Sequence, residues 1–285
     1  MHTRSRGSAL LSALLIMALI TMLVTAMVAR VRLDIEQTQR SVEYEQILLS
    51  APVVTFWAME RLKDTQYIWI SEHADGRIAD FPAKLFLLES GMIIRGEIYD
   101  LQANFNLNNL LDNASQPLFY ELLKNQQSDR KHNAEILTAT INWIRKSTSH
   151  GPLHDISEFR IIPRVNAHDY LTLNKYLTVL PAITPINLNT APIQILRALG
   201  HGLSLKEAQE IIAARGKYGI KNIMEINEIL NRLNIQSTQV AVNSNFFLLV
   251  TRVTGPHLTR ITYTVLQRYI NPVGRVIVRI LSTSL

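Results

Sequence analysis

Few groupings of side chains in this sequence could do chemistry. His150 and His154 stand four apart, the spacing at which a helix offers two imidazoles to one metal ion, but Gly151-Pro152 between them breaks a helix. Asp155, Glu158 and Asp169 supply the hard oxygen donors a calcium ion takes, but their scatter suits surface charges or helix caps better. Gly200-His201-Gly202 is a Gly-x-Gly turn whose bare backbone N–H groups could face a phosphate. Asn104, Asn106, Asn108, Asn109, Asn187 and Asn189 make two Asn-dense stretches, which read as turns and caps before they read as active-site amides. The chain has no cysteine, so it has no thiolate nucleophile, disulfide scaffold, zinc knuckle or iron–sulfur cluster. No Gly-x-Ser-x-Gly, Walker loop or His-Glu-x-x-His occurs. The sequence is that of a protein that is not expected to be an enzyme.

The remaining chemistry is cleavage of the chain itself. Arg4 and Arg6 precede Gly7-Ser8, and from Ser8 to Ala29 nothing is charged. These 22 residues build a helix of roughly 33 Å, about one bilayer core. Leu10, Leu14, Ile16, Leu19 and Leu23 are among its apolar side chains. Arg30 and Arg32 follow, so basic residues flank the run on both sides and set no orientation. A cleaved secretory signal would be shorter and end in an A-x-A site; a plain anchor would fit the length. A short basic leader that ends in glycine, with the apolar run starting at the next residue, resembles a type IV prepilin-like signal, cut between Gly7 and Ser8.

Elements follow from periodicity. Val28, Val31, Ile35, Thr38, Val42 and Leu49 continue the helix as an amphipathic one, with charged and amide residues between them. Pro52 should kink or restart it, and residues 53–62 read as more helix. Strand signals lie at 85–88 and 92–101. Short helices joined by glycines fill the stretch to Leu233: Thr190 caps a helix with Pro192 in its first turn, Ser204 and Glu207 form a capping box, and Asn222 opens another helix. Residues 244–254, 258–270 and 275–284 are β-rich and separated by Gly-Pro and Asn-Pro-Val-Gly turns.

Charge is unevenly placed. All 23 acidic residues lie at or before Glu228, while six of the 29 basic ones follow it, so the +6 net charge belongs to Arg232, Arg252, Arg260, Arg268, Arg275 and Arg279. This row reads as a solvated sheet face with edge charges, in preference to a basic surface for an acidic subunit or cargo.

Several stretches carry a family resemblance. Gly96-Glu97-Ile98-Tyr99-Asp100-Leu101-Gln102, continued by Phe105-Asn106-Leu107-Asn108-Asn109-Leu110, resembles G-x-I-x-D-L-x-G-x-x-N-L-N-N-L, with Ala103 in place of the usual glycine. Ile156-Ser157-Glu158-Phe159-Arg160, Leu177-Thr178-Val179-Leu180-Pro181 and Ile186-Asn187-Leu188-Asn189-Thr190-Ala191-Pro192 match in order. Together with the leader they resemble the K minor pseudopilin family of type II secretion systems over nearly the whole chain. The resemblance implies an α+β fold: a long N-terminal transmembrane and amphipathic helix, then a pilin-like antiparallel sheet with a large inserted all-α domain. The implied units are a leader (1–7), a transmembrane helix (8–29), and a spine with the first part of the pilin-like domain (30–106). An inserted helical domain (107–235, with 186–233 helix-hairpin-helix-like) and the C-terminal β part (236–285) follow.

The resemblance also implies processing by a prepilin peptidase and a single-pass anchor in the bacterial inner membrane, with the body in the periplasm. It implies contact with the secretion inner-membrane platform and a tip complex with I-type and J-type minor pseudopilins. Pilin-like subunits usually carry Glu as the fifth mature residue; here that residue is the neutral Ser12, an absence for which K subunits are known. No cofactor is required. Relatives often carry an Asp-rich, calcium-suited loop after a Trp-Ile segment, but here Trp143-Ile144 is followed by Arg145 and Lys146. This argues against calcium at that loop and leaves Asp155, Glu158 and Asp169 as weak candidates. The rival reading is a membrane-anchored DNA-binding protein, with 186–215 as a helix-hairpin-helix module. Lys206, Arg215, Lys217 and Lys221 are matched there by Glu207, Glu210, Glu225 and Glu228, so no nucleic acid is expected as a partner.

Overall fold

The computed structural model describes residues 5–64, 70–71, 76–82, 91–126, 129–145 and 152–284, with side chains from residue 10 onward. The strand signal at 85–88, His150 with most of the loop after Ile144, and residues 1–4 of the leader lie outside the described residues. Helix α1 (Ser5–Lys63) is followed by strands β1 (Arg77–Asp80), β2 (Ile93–Asp100) and β3 (Phe105–Asn106). Helices α2 (Gln116–Gln126), α3 (Arg130–Arg145) and α4 (Ala167–Leu173) come next, then the short strands β4 (Leu177–Thr178) and β5 (Ile186–Asn187). Helices α5 (Ile193–Leu196), α6 (Leu205–Arg215) and α7 (Asn227–Arg232) lead to β6 (Val240–Ala241), β7 (Phe246–Thr254), β8 (Thr259–Ile270) and β9 (Val276–Ser284).

Helix α1 is continuous over 59 residues, a rod of roughly 88 Å. The expected restart at Pro52 does not occur. Pro52 removes one ladder bond, but Val54, Ala58 and Leu62 beyond it are buried on the sheet, and that packing carries the helix through. Within the apolar run, the Thr21 and Thr25 hydroxyls donate back to the carbonyls of Met17 and Thr21 at 2.5 and 2.7 Å, so these two groups need no water.

The face of α1 that packs differs from the one its spacing suggests. The buried row is Glu43, Ile47, Ser50, Val54, Ala58 and Leu62, whereas Leu49 is 74% exposed and Val28, Val31, Ile35 and Val42 stay exposed. At about 100° per residue the two rows lie roughly a third of a turn apart. The sheet covers only the C-terminal part of α1, so the earlier apolar residues have no surface of this chain to pack on.

The main sheet is antiparallel in the order β1-β2-β7-β8-β9. Its inner residues Ile94, Ile98, Phe247, Leu249, Val253, Leu266 and Val278 form one core with α1. Gly96 lets the two layers close: a Cβ there would sit 2.3 Å from Val54 Cγ1 and 3.0 Å from Phe81 Cβ. A second, larger core runs from Phe105 to Val240 among the short helices.

Two Asn-Leu-Asn clasps hold that second core, each beside a two-residue parallel bridge: β3 with β4, and β5 with β6. In each, the first Asn (Asn106, Asn187) accepts from the backbone N–H two residues on, and the Leu (Leu107, Leu188) is fully buried. The second Asn (Asn108, Asn189) pairs its amide with both the N–H and the C=O of a distant residue, Leu153 or Ile220, at 2.9–3.0 Å. It also donates to a second carbonyl, that of Leu180 or Val242. Some of these asparagines do cap turns, as their type suggests, but their larger role is to join segments distant in sequence.

Candidate assembly surfaces

Leu10, Leu14, Ile16, Leu19 and Leu23 project from α1 into open space, and Ser12 lies in the same run. Among the described residues α1 is the helix long and apolar enough to cross a membrane. Gly7 and Ser8 are in its first turns, where side chains are not described. Further along, Val31, Ile35, Val42, Pro256 and His257 line an open groove of about 650 Å³ between α1 and the β7–β8 turn. Its end is fixed by Glu43, 6% exposed. The backbone N–H groups of His257 and Leu258 donate to its carboxylate at 2.9 and 3.0 Å, and His257 Nδ1 lies 3.0 Å away. The His257 N–H above all holds the Glu43 carboxyl below its ordinary value. Sequence periodicity placed Glu43 on the wet side of the helix.

The two cores meet at a polar seam centred on Asp100, 2% exposed at the end of β2. Its carboxylate accepts from Gln102 N–H (2.8 Å), Asn187 Nδ2 (2.8 Å), Thr190 Oγ1 (2.5 Å) and Ser244 Oγ (2.7 Å). Gln102 adds a second tie, donating to the Pro185 carbonyl and accepting from Asn245 N–H. Burial pushes the Asp100 carboxyl above its ordinary value, against its four donors, which pull it down. The hydroxyl of Thr190, expected as a helix cap, is spent here instead; α5 starts at Ile193, with Pro192 at its N-cap and no side-chain cap bond. Asp100 and Gln102 stood inside a recognisable motif, but nothing near Ser244 signalled its part.

Gly200, His201 and Gly202 all take positive φ (56°, 66° and 100°), so the hairpin forms. It faces inward. A Cβ on Gly200 would lie 2.2 Å from the Leu233 carbonyl oxygen, and one on Gly202 would meet the Glu121 carboxylate of α2 at 2.5 Å. Glu121 is paired with Lys124, and the N–H groups of Gly202 and Leu203 already donate to the Leu199 and Arg197 carbonyls, so these two donors are not offered to a phosphate. Arg215, counted near the hairpin, is buried, donates to the Ala191 carbonyl at 2.6 Å and is lowered by burial to about 10. The geometry opposes the DNA-binding alternative.

Asp155 and Glu158 close a capping box at Ile156. Asp169, buried, caps α4 with Asn166 and faces His132 Nε2 at 2.9 Å. These carboxylates are used locally, and among the described residues no group of three or more His, Cys, Asp or Glu is gathered for a metal. The C-terminal arginines also divide: Arg232 is on α7 and pairs with Glu210, while Arg252, Arg260, Arg268 and Arg279 are in β7, β8 and β9 and Arg275 just precedes β9.

A single uninterrupted helix, apolar then amphipathic, with an antiparallel sheet on its C-terminal part and a helical body between β2 and β7, defines a pilin-like subunit with a large insertion. Two segments match models of type II secretion system protein K, at residues 103–182 and 186–246. The chain is similar to that family over these two segments. The protein of this name from Pseudomonas aeruginosa is 28% identical over 116 residues, 40% of this chain and 34% of that one. The one from Klebsiella pneumoniae is 26% identical over 85% of this chain and 83% of its own length. The fold is similar to that in the crystal structure of the GspK-GspI-GspJ complex from the enterotoxigenic Escherichia coli type 2 secretion system. There the TM-score is 0.69 and the identity 20%, covering 87% of this chain and 98% of that one.

Proposed function

We propose that this chain is a minor pseudopilin at the tip of a type II secretion pseudopilus, where it starts or caps assembly for export across the outer membrane. It is a structural subunit and not an enzyme. A prepilin peptidase cuts between Gly7 and Ser8, and the apolar part of α1 holds the subunit in the inner membrane, near the secretion platform, with its body in the periplasm. Its neighbours in the tip are minor pseudopilins of the I and J type, the partners present in the related complex.

The observation that carries this reading is the exposed row Val28, Val31, Ile35, Val42 and Leu49 on a helix that its own sheet covers only from Glu43 onward, and on another face. An apolar stripe continuous with a membrane helix is built for parallel helices from neighbouring subunits. Two features favour the tip. Ser12 carries no charge to pair with the amine of a subunit's first residue, and the helical body would obstruct stacking above it. The test is sequencing of the mature amino terminus in cells that contain the peptidase, with secretion followed in parallel. The expected product starts at Ser8, and Gly7→Asp stops processing and secretion together. An intact residue 1–7 segment in secreting cells would overturn the proposal.

A further inference from the structure

Strand β9 forms one edge of the main sheet, and among the described residues no strand pairs with its outer side. Its backbone directions follow from the ladder. Asn271 N–H donates to the Arg275 carbonyl at 2.9 Å, and on the other side of β8 Arg268 N–H donates to Asn245 at 2.7 Å. In an antiparallel sheet the residues of a strand bond alternately to one neighbour and the other. With the register Gln267 to Arg279 and Tyr269 to Ile277, the main chain of Ile277 and Arg279 serves β8. The N–H and C=O groups of Val276, Val278 and Ile280 are therefore directed away from the sheet.

This edge is poorly guarded. Natural edges are shortened, carry lysine or proline, or turn a charge inward. Strand β9 is nine residues long and has no proline. Its one charge, Arg279, lies sideways, donating twice to Gln267 Oε1 (2.9 and 2.7 Å) with its guanidinium 5.5 Å from the Tyr269 ring. The bulge, which leaves Leu281 unmatched, comes only after Ile280. Ile280 is 50% exposed although its strand neighbour Leu266 is fully buried.

The surroundings are basic. Arg275 precedes the free segment and Arg279 lies within it, Arg268 is on the adjacent strand, and no acidic residue follows Glu228. Asp64, close to Arg268, is already 3.8 Å from Arg61. A second copy of β9 laid antiparallel against the first would bring these arginines together, which is unfavourable. We propose that the β9 edge is a strand-addition site for an extended, acidic segment of a partner protein. The added strand bonds to the main chain of Val276, Val278 and Ile280 and sets carboxylates against Arg275 and Arg279. This edge is not part of the exposed apolar row of α1, so the proposal stands or falls independently of the tip assignment.

The test uses the full chain in detergent micelles and two fluorescent synthetic peptides, one alternating Val and Glu, the other Val and Lys. The Glu peptide should bind about tenfold more tightly than the Lys peptide. Its binding should weaken as salt rises, and it should slow amide exchange at Val278 and Ile280. Ile280→Pro, which removes an outward N–H but no bond to β8, should abolish binding, while Ile280→Thr retains it and controls for folding. Arg275→Glu combined with Arg279→Glu should reverse the preference. Equal binding of both peptides, binding of neither, binding that survives Ile280→Pro in a folded protein, or dimerisation through β9 would each overturn the proposal.

Discussion

Asp100 concentrates the logic of the molecule in one side chain. It joins β2, the Asn187–Thr190 segment and Ser244, so its loss is felt in both cores. Asp100→Ala strands buried donors and should cost about 3 kcal/mol, read from denaturant midpoints. Its folded-state carboxyl is raised above the ordinary 3.8. Its contribution is therefore greatest below that value and declines as pH climbs toward the raised one, because the unfolded chain gives up the proton first. Asp100→Asn should remove that slope; an unchanged pH profile would refute the assignment. Gly96→Ala tests the other tight contact. The added methyl meets Val54 and Phe81, and overpacking of this kind should cost about 1–3 kcal/mol in thermal or denaturant unfolding.

At the level of elements, α1 and the β7–β8 turn are held together by Glu43. Its carboxyl is lowered from the ordinary 4.5, so the contact is fully present above that value and is lost as pH falls through the lower folded one. Protection of the His257 and Leu258 amides, measured against the intrinsic exchange rate at each pH, should fall on acidification, and Glu43→Gln should lower it already at neutral pH. Equal exchange in both proteins would exclude the role. Elements of this kind were largely legible in the sequence. Gly255-Pro256 and Asn271-Pro272 punctuated the strands, Ser204 and Glu207 announced α6, and the charge-free run announced the apolar part of α1. What could not be read was which face each element gives to a distant one. Leu49 looked buried and Glu43 wet, because periodicity reports amphipathicity but not where a partner ends. Asp100 and Ser244 are 144 residues apart, and no local pattern could pair them. The Gly200–Gly202 turn was legible as a turn, but Glu121, which lies against Gly202, belongs to another helix.

For the whole molecule, two cores divided by a hydrogen-bonded seam should open as two units. Hydrogen exchange under mild denaturant should separate amides of the helical body from those of β2, β7 and β8, with Asp100→Ala widening the gap. A single cooperative transition for all of them would contradict this division. The unbroken course of α1 has a mechanical meaning as well. A load applied to the body passes down one rod to the apolar part of α1. The rod's weakest turn under tension is the one at Pro52, which lacks a ladder bond. That turn is splinted, since Val54 is seated against Gly96 two residues further on. Strength is supplied by the sheet where the helix alone is least able to bear strain, so a pull on the body is passed to the apolar part of α1 instead of stretching the link between them.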